Sequence, residues 1–500
     1  MSIHEREIKL AAPPGFQLPP LTDIASDIFE GTPSTIELDA TYYDTDDLRL
    51  ARAGALLRHR NDEGWMVKLH SATTDPTALV RDEHLFSDGI DGEPPESALD
   101  LVRALVRSAP VARVARLRTT RRHVPIRAAD GTAIADVADD RVEVIEGTAI
   151  ERTFHEVEVE LTDAATDVQR AGLLARLRAS GAAVPDPTPK IAHALGPRAS
   201  APPDIEEVAV GPNAPLDQVV RAAITACVAK LVTHDPGVRL GGDAEDVHQA
   251  RVATRRLRSH LRTFASLVDE RWATGLSDEL RWLGEVLGGV RDADVLLERL
   301  ESKVARLELI DQKSADLLLE RLRADLVHRR ELLLVAMRGD RYVVLLDSLV
   351  AAARRPRLLL RIDEEPDADV LRGLVRRPWH HLRDSVDILT DDPADAELHA
   401  VRIRVKRARY AAEAVEPAVG KRARALARAL TDLQDVLGDH QDAVIAAEWL
   451  RQAAAKTHDE AVGFAAGLLA GLEHQEAHAA RSKWRDAWKL TSRRRLLDWL

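Results

Sequence analysis

The sequence predicts an α+β multidomain protein in which an antiparallel β-rich part is followed by an all-helical part, and three observations carry this. The chain is 500 residues long, more than one ordinary hydrophobic core organises. Breakers crowd one segment, with Pro185, Pro187, Pro189, Gly196, Pro197, Pro202, Pro203, Gly211 and Pro212, a density that neither a helix nor a central strand tolerates. Across that segment the hydrophobic period changes from two residues to about 3.6. The predicted organisation is a first domain over 1–197, a linker over 198–214 and a helical domain over 215–500.

The first part is read from short alternating segments: Glu5 to Leu10, Ala55 to Arg60, Trp65 to Leu69, Leu79 to Phe86, Val114 to Ile126, Thr132 to Ile145 and Phe154 to Leu161. Residues two apart share a face of a strand. Glu5, Glu7 and Lys9 therefore point one way, as do Arg58 with Arg60, Arg81 with Glu83, Asp136 with Asp140, and Glu156 with Glu158 and Glu160. One such strand is ordinarily the solvated face of a half-exposed sheet. Five of them with mixed charges favour an enclosed face that joins a carboxylate cluster to several cations. That combination suits a metal-bound polyphosphate, because hard Mg²⁺ or Mn²⁺ takes carboxylate and phosphate oxygens while Arg and Lys neutralise the remaining phosphate charge.

The second part consists of long Ala, Leu, Arg and Glu stretches with few β-branched residues, which read as helices. It also repeats itself. His248-Gln-Ala-Arg251-Val-Ala-Thr-Arg255-Arg256-Leu-Arg258 is matched by His399-Ala-Val-Arg402-Ile-Arg-Val-Lys406-Arg407-Ala-Arg409. Further on, Leu287-Gly288-Gly-Val-Arg-Asp292 is matched by Leu437-Gly438-Asp-His-Gln-Asp442. At 100° per residue, His248, Arg251, Arg255, Arg258 and Arg262 fall within an arc of about 80°, and His399, Arg402, Lys406 and Arg409 repeat it. Like charges one turn apart repel, so a stripe without interspersed acids is unfavourable unless an anion joins it. A solvated face is the plain alternative for one stripe, and recurrence argues against it for two. Gly288 and Gly438 are expected to allow close helix approach, and Asp292 and Asp442 to orient stripe cations.

Composition bounds the rest. A 45% hydrophobic and 30% charged composition is that of a globular protein, and the single cysteine, Cys227, excludes an intramolecular disulfide and a CxxC zinc site. The net charge of −12 speaks against general nucleic-acid binding, which needs a basic surface. No secretory signal is read at the start and no apolar run reaches the ~20 residues of a membrane span, so the expected location is the cytoplasm. There is no GxxxxGK[ST] loop, and His474-Gln-Glu-Ala-His478 lacks the order of a zinc protease. Trp484, Trp488 and Trp499 read as packing of the last helix.

Glu5-x-Glu7-x-Lys9 resembles the ExExK signature of the CYTH family, the triphosphate tunnel metalloenzymes. The likeness extends over about 190 residues. Tyr43-Asp44-Thr45 and Leu56-Leu57-Arg58-x-Arg60 are similar to family segments, as are Lys68, Arg81-x-Glu83, Asp140-x-Val142, Glu158-x-Glu160 and Lys190-Ile-Ala-His-Ala-Leu195, with Arg118 and Arg121 where a basic pair is expected. Leu85 stands where many members carry another acid. The resemblance implies an eight-stranded antiparallel tunnel that hydrolyses a terminal phosphoanhydride with Mg²⁺ or Mn²⁺. Glu5, Glu7 and Lys9 are the implied catalytic signature. Glu5, Glu7, Asp140, Glu158 and Glu160 would hold metal, and Lys9, Arg58, Arg60, Lys68, Arg81, Arg118, Arg121 and Lys190 would hold the triphosphate substrate.

The helical repeats resemble the CHAD family, a conserved-histidine α-helical domain. The resemblance implies two four-helix bundles around a basic groove that binds inorganic polyphosphate, and with it association with polyphosphate granules. The residues it implicates are His248, Arg251, Arg255, Arg256, Arg258, His399, Arg402, Lys406, Arg407 and Arg409. Turnover of tripolyphosphate or an organic triphosphate is the expected activity. A polyphosphate receptor with a vestigial tunnel and an adenylate cyclase-like activity are the alternatives, and no base-recognition element is visible for the latter.

Overall fold

The computed structural model describes residues 6–22, 24, 28–70, 81–90, 92–182, 188–212, 214–359 and 368–500. The chain divides into two compact units, Met1–Asp204 and Ile205–Leu500. Residues 198–204 of the expected linker are held on the first unit, where Arg198 donates to the Asp46 carbonyl at 2.7 Å and Asp204 lies 3.1 Å from the Arg52 guanidinium.

The first unit is an antiparallel sheet of β1 (Arg6–Ala12), β2 (Ile28–Glu30), β3 (Ser34–Asp44), β4 (Leu56–Arg60), β5 (Gly64–His70), β6 (Arg81–Phe86), β7 (Ala112–Ala128), β8 (Ala133–Glu146) and β9 (Ala149–Leu161). Eight of them run in the order β1-β9-β8-β7-β3-β4-β5-β6, and the three-residue β2 adds to β7. Among the described residues this path has two ends, β1 and β6. The alternating segments of the sequence correspond to β1 and β4 to β9. β3, which joins the two halves of the sheet, lies outside them because the first four of its eleven residues are exposed regardless of pleat.

Among the described residues four α-helices accompany the sheet: α1 (Arg49–Arg52), α2 (Glu96–Val106), α3 (Asp167–Ala179) and α4 (Lys190–Leu195). Three of them cover its apolar face. Leu173 and Leu177 of α3 pack on Leu10, Val137, Val157 and Val159. Leu50 of α1 and Leu101 and Val102 of α2 pack on Leu57, Trp65 and Val67. Ladder registry puts the other parity of every strand on the opposite face, which therefore carries the charged residues. That face is closed at one end by α4, whose Ile191 and Ala194 pack on Ala40, Tyr42, Leu117, Val142 and Val144.

The second unit is all-helical: α5 (Leu216–Leu240), α6 (Ala244–Thr263), α7 (Glu270–Val304), α8 (Leu309–Arg338), α9 (Asp340–Arg354), α10 (Ala368–Asp387), α11 (Asp395–Val419), α12 (Lys421–Lys456), α13 (Glu460–Thr491) and α14 (Arg494–Leu497). The repeat extends to whole helices. Starts at 244, 270 and 309 recur at 395, 421 and 460, an offset of 151 each time (395 − 244, 421 − 270, 460 − 309). Helices α5 to α8 and α10 to α13 are thus two related sets of four, with consecutive members in contact, and α6 also touches α11 while α8 touches α13. Trp484 and Trp499 are buried as the sequence predicts, and Trp488 stacks on Trp379 at 5.5 Å.

Because Leu173 is fully buried between α3 and the sheet, Leu173→Ala should cost about 2–5 kcal/mol. Denaturant unfolding of the full chain, followed by a probe in the first unit, checks this; a change below about 1 kcal/mol would show that α3 is not part of the core.

Candidate functional site

The charged face of the sheet is set by registry. Arg121 lies opposite Asp140, Asp140 opposite Glu156, Glu158 opposite Lys9, and Glu160 opposite Glu7. The same parity through β3, β4, β5 and β6 adds Arg58, Arg60, Lys68, Arg81 and Glu83. All these residues occupy one face.

At its centre Asp140, Glu156 and Glu158 are buried, and one oxygen from each lies within 4.8 Å of the others. Cations close around them. Arg121 grips Asp140 through Nε at 2.9 Å and Nη2 at 2.7 Å, and its Nη2 also donates to Glu158 Oε2 at 2.5 Å. The Lys190 ammonium lies 3.0 Å from Asp140, 2.6 Å from Glu156 and 2.5 Å from Glu158. Lys9 approaches Glu158 at 2.7 Å. Three negative and three positive groups thus share one buried volume, which is why none can be lost cheaply.

Lys190 owes its position to local sequence. Pro189 precedes it at φ −63°, a geometry suited to starting a helix, and α4 ends on Gly196 at φ +68°, a conformation that favours glycine. Burial pulls the Lys190 ammonium toward neutrality, but Glu158, Asp140 and Glu156 outweigh it and hold the group protonated well above the usual lysine range. Arg121 is held protonated in the same way, its burial offset by Asp140 first and then by Glu158 and Glu160. Glu156 goes the other way. Burial and then the charge of Glu158 raise it, against the pull of Lys190 and Lys9.

The three carboxylates fit a divalent cation. Hard ions take oxygen donors, and Glu156 Oε1 is buried without an aligned hydrogen bond although Lys190 stands at ion-pair distance. A cation there would share its oxygens with the Lys190 ammonium.

Elsewhere on this face Arg58 and Arg60 both bind Glu63, the former at 2.5 Å, and Lys68 pairs with Glu83. Glu63 is absent from the residues that the sequence singles out, and Glu156, which alternation places on this face, is absent from the expected metal ligands. Glu5 lies outside the described residues, and of Glu7 and Arg81 only the backbone position is described. Glu160 stands one registry row from the cluster. Arg118 departs from expectation. It is three residues from Arg121 in an unbroken stretch of strand, so it points to the opposite face, where it lies 3.6 Å from Glu143 and is 47% exposed. Beside the cluster opens a cavity of about 690 Å³, lined by Lys9, Glu156, Phe154 and His193 among others.

In the second unit the two basic stripes converge. Burial lowers Lys406 to about 7, helped by the charges of Arg255, Arg402 and Arg251 and opposed by Asp442. Arg402 likewise feels Arg255 across from α6. Asp292 lies 2.9 Å from Arg251, and Asp442 3.8 Å from Arg402. Gly288 and Gly438 serve these same two arginines. A Cβ on Gly288 would lie 3.4 Å from Arg251 Nε, and one on Gly438 3.6 Å from Arg402 Nη2, so each guanidinium lies against its glycine at ordinary van der Waals distance.

The leading histidines differ: His399 Nδ1 meets Gln441 at 2.7 Å, whereas His248 is lowered by burial and then by the charge of Arg291. Arg258 carries no ion pair among the described residues, and its buried Nε has no hydrogen-bond partner. Arg256 and Arg409 share Glu413, at 2.8 and 3.1 Å, and are already neutralised in part. Arg407 acts on Arg262.

Comparison with known proteins agrees with the two-part layout. Residues 4–181 match the model of the CYTH domain, and residues 222–451 that of the CHAD domain. The Mycobacterium tuberculosis protein Rv2226 is 33% identical over 473 residues, which cover 90% of this chain and 88% of that protein. Among solved structures, PptA from Streptomyces chartreusis is 27% identical, with 55% of this chain and 100% of that one covered and a TM-score of 0.46. The CHAD domain from the plant Ricinus communis is 28% identical, covering 59% of this chain and 98% of its own, with a TM-score of 0.48. This chain belongs to the family of proteins in which a CYTH domain is followed by a CHAD domain.

Proposed function

We propose that the first domain is a divalent-metal-dependent triphosphatase and that the second binds inorganic polyphosphate. The observation that carries the first half is the buried cluster of Asp140, Glu156 and Glu158 enclosed by Arg121, Lys190 and Lys9. Carboxylates and cations in equal number suit a ligand that brings both signs, as a metal–triphosphate does. Asp140, Glu156 and Glu158, with Glu160 and Glu7 in the next row, would hold Mg²⁺ or Mn²⁺. Bound there, the ion supplies Lewis-acid polarisation of a phosphoryl oxygen. Lys190, Lys9 and Arg121 would neutralise phosphate oxygens and the charge that develops on them in transfer. Arg58, Arg60 and Lys68, on the same face, would take the remaining phosphates. Every triphosphate presents similar oxygens, so inorganic tripolyphosphate and organic triphosphates are both candidate substrates.

The second half rests on the convergence of Arg251, Arg255, Arg402 and Lys406, which concentrates positive charge with only Asp292 and Asp442 against it. A long polyanion relieves that repulsion along both repeats. The cytoplasm, where polyphosphate and its granules occur, is the location this reading implies. Among the described residues no helix is long and apolar enough to cross a membrane.

Phosphate release from tripolyphosphate, ATP and thiamine triphosphate, with Mg²⁺ or Mn²⁺ and with cyclic AMP followed in parallel, tests the enzyme reading. Asp140→Asn with Glu156→Gln should lower turnover by at least about 100-fold, and a double variant that turns over like the parent would rule the cluster out as the active site. Accumulation of cyclic AMP from ATP would favour cyclisation over hydrolysis.

Lys190→Met leaves three buried carboxylates without their common counter-charge. In EDTA it should destabilise the first domain by roughly 3–5 kcal/mol, and Mn²⁺ should restore more stability to the variant than it adds to the parent. Equal stabilisation of both by Mn²⁺ would show that the ion binds elsewhere.

Lys406 gives a pH signature. Its folded value is depressed to about 7, so between about 7 and the ordinary lysine range the unfolded chain holds a proton that the folded chain lacks, and stability rises with pH through that window. Polyphosphate offsets the share due to the surrounding arginines and itself attracts the proton, so binding at pH ~8 should take up a proton and weaken as pH rises. Calorimetry in buffers of different ionisation heat measures the uptake. Lys406→Met should abolish it, and parental binding without uptake would place the polymer away from Lys406.

A further inference from the structure

The two helical repeats are not electrostatically equivalent, and the difference falls at a cavity. With the offset of 151, Arg256 corresponds to Arg407 (256 + 151) and Arg262 to Glu413 (262 + 151). On one side of the α6–α11 contact Arg256 meets Glu413 at 2.8 Å, with Tyr410 beneath the guanidinium at 6.0 Å. On the other side the corresponding pair is Arg407 with Arg262, two cations in the place of an ion pair. Burial and then the charge of Arg407 make protonation of Arg262 less favourable than for an ordinary arginine, with Arg258 and Arg281 adding to the repulsion.

That second side opens into a groove of about 990 Å³ between α6, α10 and α11. Arg262, Arg377, Arg404 and Arg407 border it, and among the described residues none of the four has a carboxylate at ion-pair distance; Asp384 is the single acid of the lining. The remainder of the wall is mixed, with Ser259, Thr263, Ser266, Ser385 and His381 beside an apolar side that a purely inorganic anion does not need. Val370 and Leu374 of α10 line it, and Ile388, 82% exposed, stands at its edge. An exposed isoleucine beside arginines that have no ion pair among the described residues is unfavourable in water on both counts, and a ligand with a charged head and an apolar body relieves both.

We propose that this groove is a second anion site, distinct from the converged stripes, that takes an organic phosphate: a phosphate head between Arg262 and Arg407 and an apolar body against Val370, Leu374 and Ile388. Arg262, the last cation of the first stripe, and Arg407, which the sequence groups with the polyphosphate residues, belong to this site through their opposition to each other. The inference does not depend on polyphosphate binding by the stripes.

The test uses naphthyl phosphate and inorganic phosphate as probes, titrated calorimetrically into the full chain in EDTA so that metal-dependent turnover plays no part. The head group is the same and only one probe has a body. Naphthyl phosphate should bind about tenfold more tightly, since covering roughly 60 Å² of apolar surface is enough for that ratio. Arg262→Glu is the discriminating variant, because it installs opposite Arg407 the ion pair that Arg256 and Glu413 already form. It should leave the melting temperature unchanged or raised while weakening naphthyl phosphate at least about tenfold. Leu374→Ser should weaken naphthyl phosphate and leave inorganic phosphate as it was. Equal affinity of the two probes would reduce the groove to a charged surface, and naphthyl phosphate binding unaltered by Arg262→Glu would place that ligand elsewhere; either result overturns the proposal.

Discussion

The charge neutrality of one buried volume governs the first domain. Asp140, Glu156 and Glu158 are almost fully removed from water, and an unpaired charge in that position would cost several kcal/mol out of a total stability of about 5–15 kcal/mol. Lys190, Arg121 and Lys9 must therefore be present, and much of the architecture can be traced to placing them. Most apolar residues of the strands lie on the other face, where α1, α2 and α3 cover them, and those on the charged face gather at one end under α4. The short helix α4 exists between Pro189 and Gly196, anchored by Ile191 and Ala194, and holds Lys190 over the carboxylates. The arrangement is stable, yet every pair in it can be exchanged for a contact to a ligand of opposite sign, which is the property a metal–phosphate site requires.

The helical domain solves the reverse problem. Its stripes are neutralised only in part: Asp292 and Asp442 each attend one arginine, Arg409 pairs with Glu413, and Lys406 gives up much of its affinity for a proton. The glycines of the repeated Leu-Gly motifs face these guanidinium groups rather than a neighbouring helix backbone. Duplication then offers two copies of each charge pair, and substitution in only one copy produces the asymmetry between Arg256–Glu413 and Arg407–Arg262.

Much of this was legible in the sequence because alternation and periodicity are local. The parity of Lys9, Arg58, Arg121, Asp140, Glu158 and Glu160 follows from counting residues in strands, and the helix repeat from a fixed offset. What escaped depends on registry or on distant partners. Arg118 was misplaced because a slip of one residue on a strand reverses its face. Glu156 shares the parity of Glu158 but becomes a candidate ligand only through its registry with Asp140 and the approach of Lys190. The bridging role of Glu63 depends on a turn geometry that no motif records. The suppressed protonation of Lys406 required two helices 151 residues apart in sequence to meet, and no local pattern carries that information.

The central claim is that Asp140, Glu156 and Glu158 form a cation site shared with Lys190. Crystals grown with Mn²⁺ and a slowly hydrolysed tripolyphosphate analogue, measured at the manganese absorption edge, address it directly. The account predicts an anomalous peak within about 2.0–2.3 Å of oxygens from these carboxylates, with the Lys190 ammonium moved off them and onto a phosphate oxygen. A peak elsewhere, with Lys190 still bound to all three carboxylates, would contradict it.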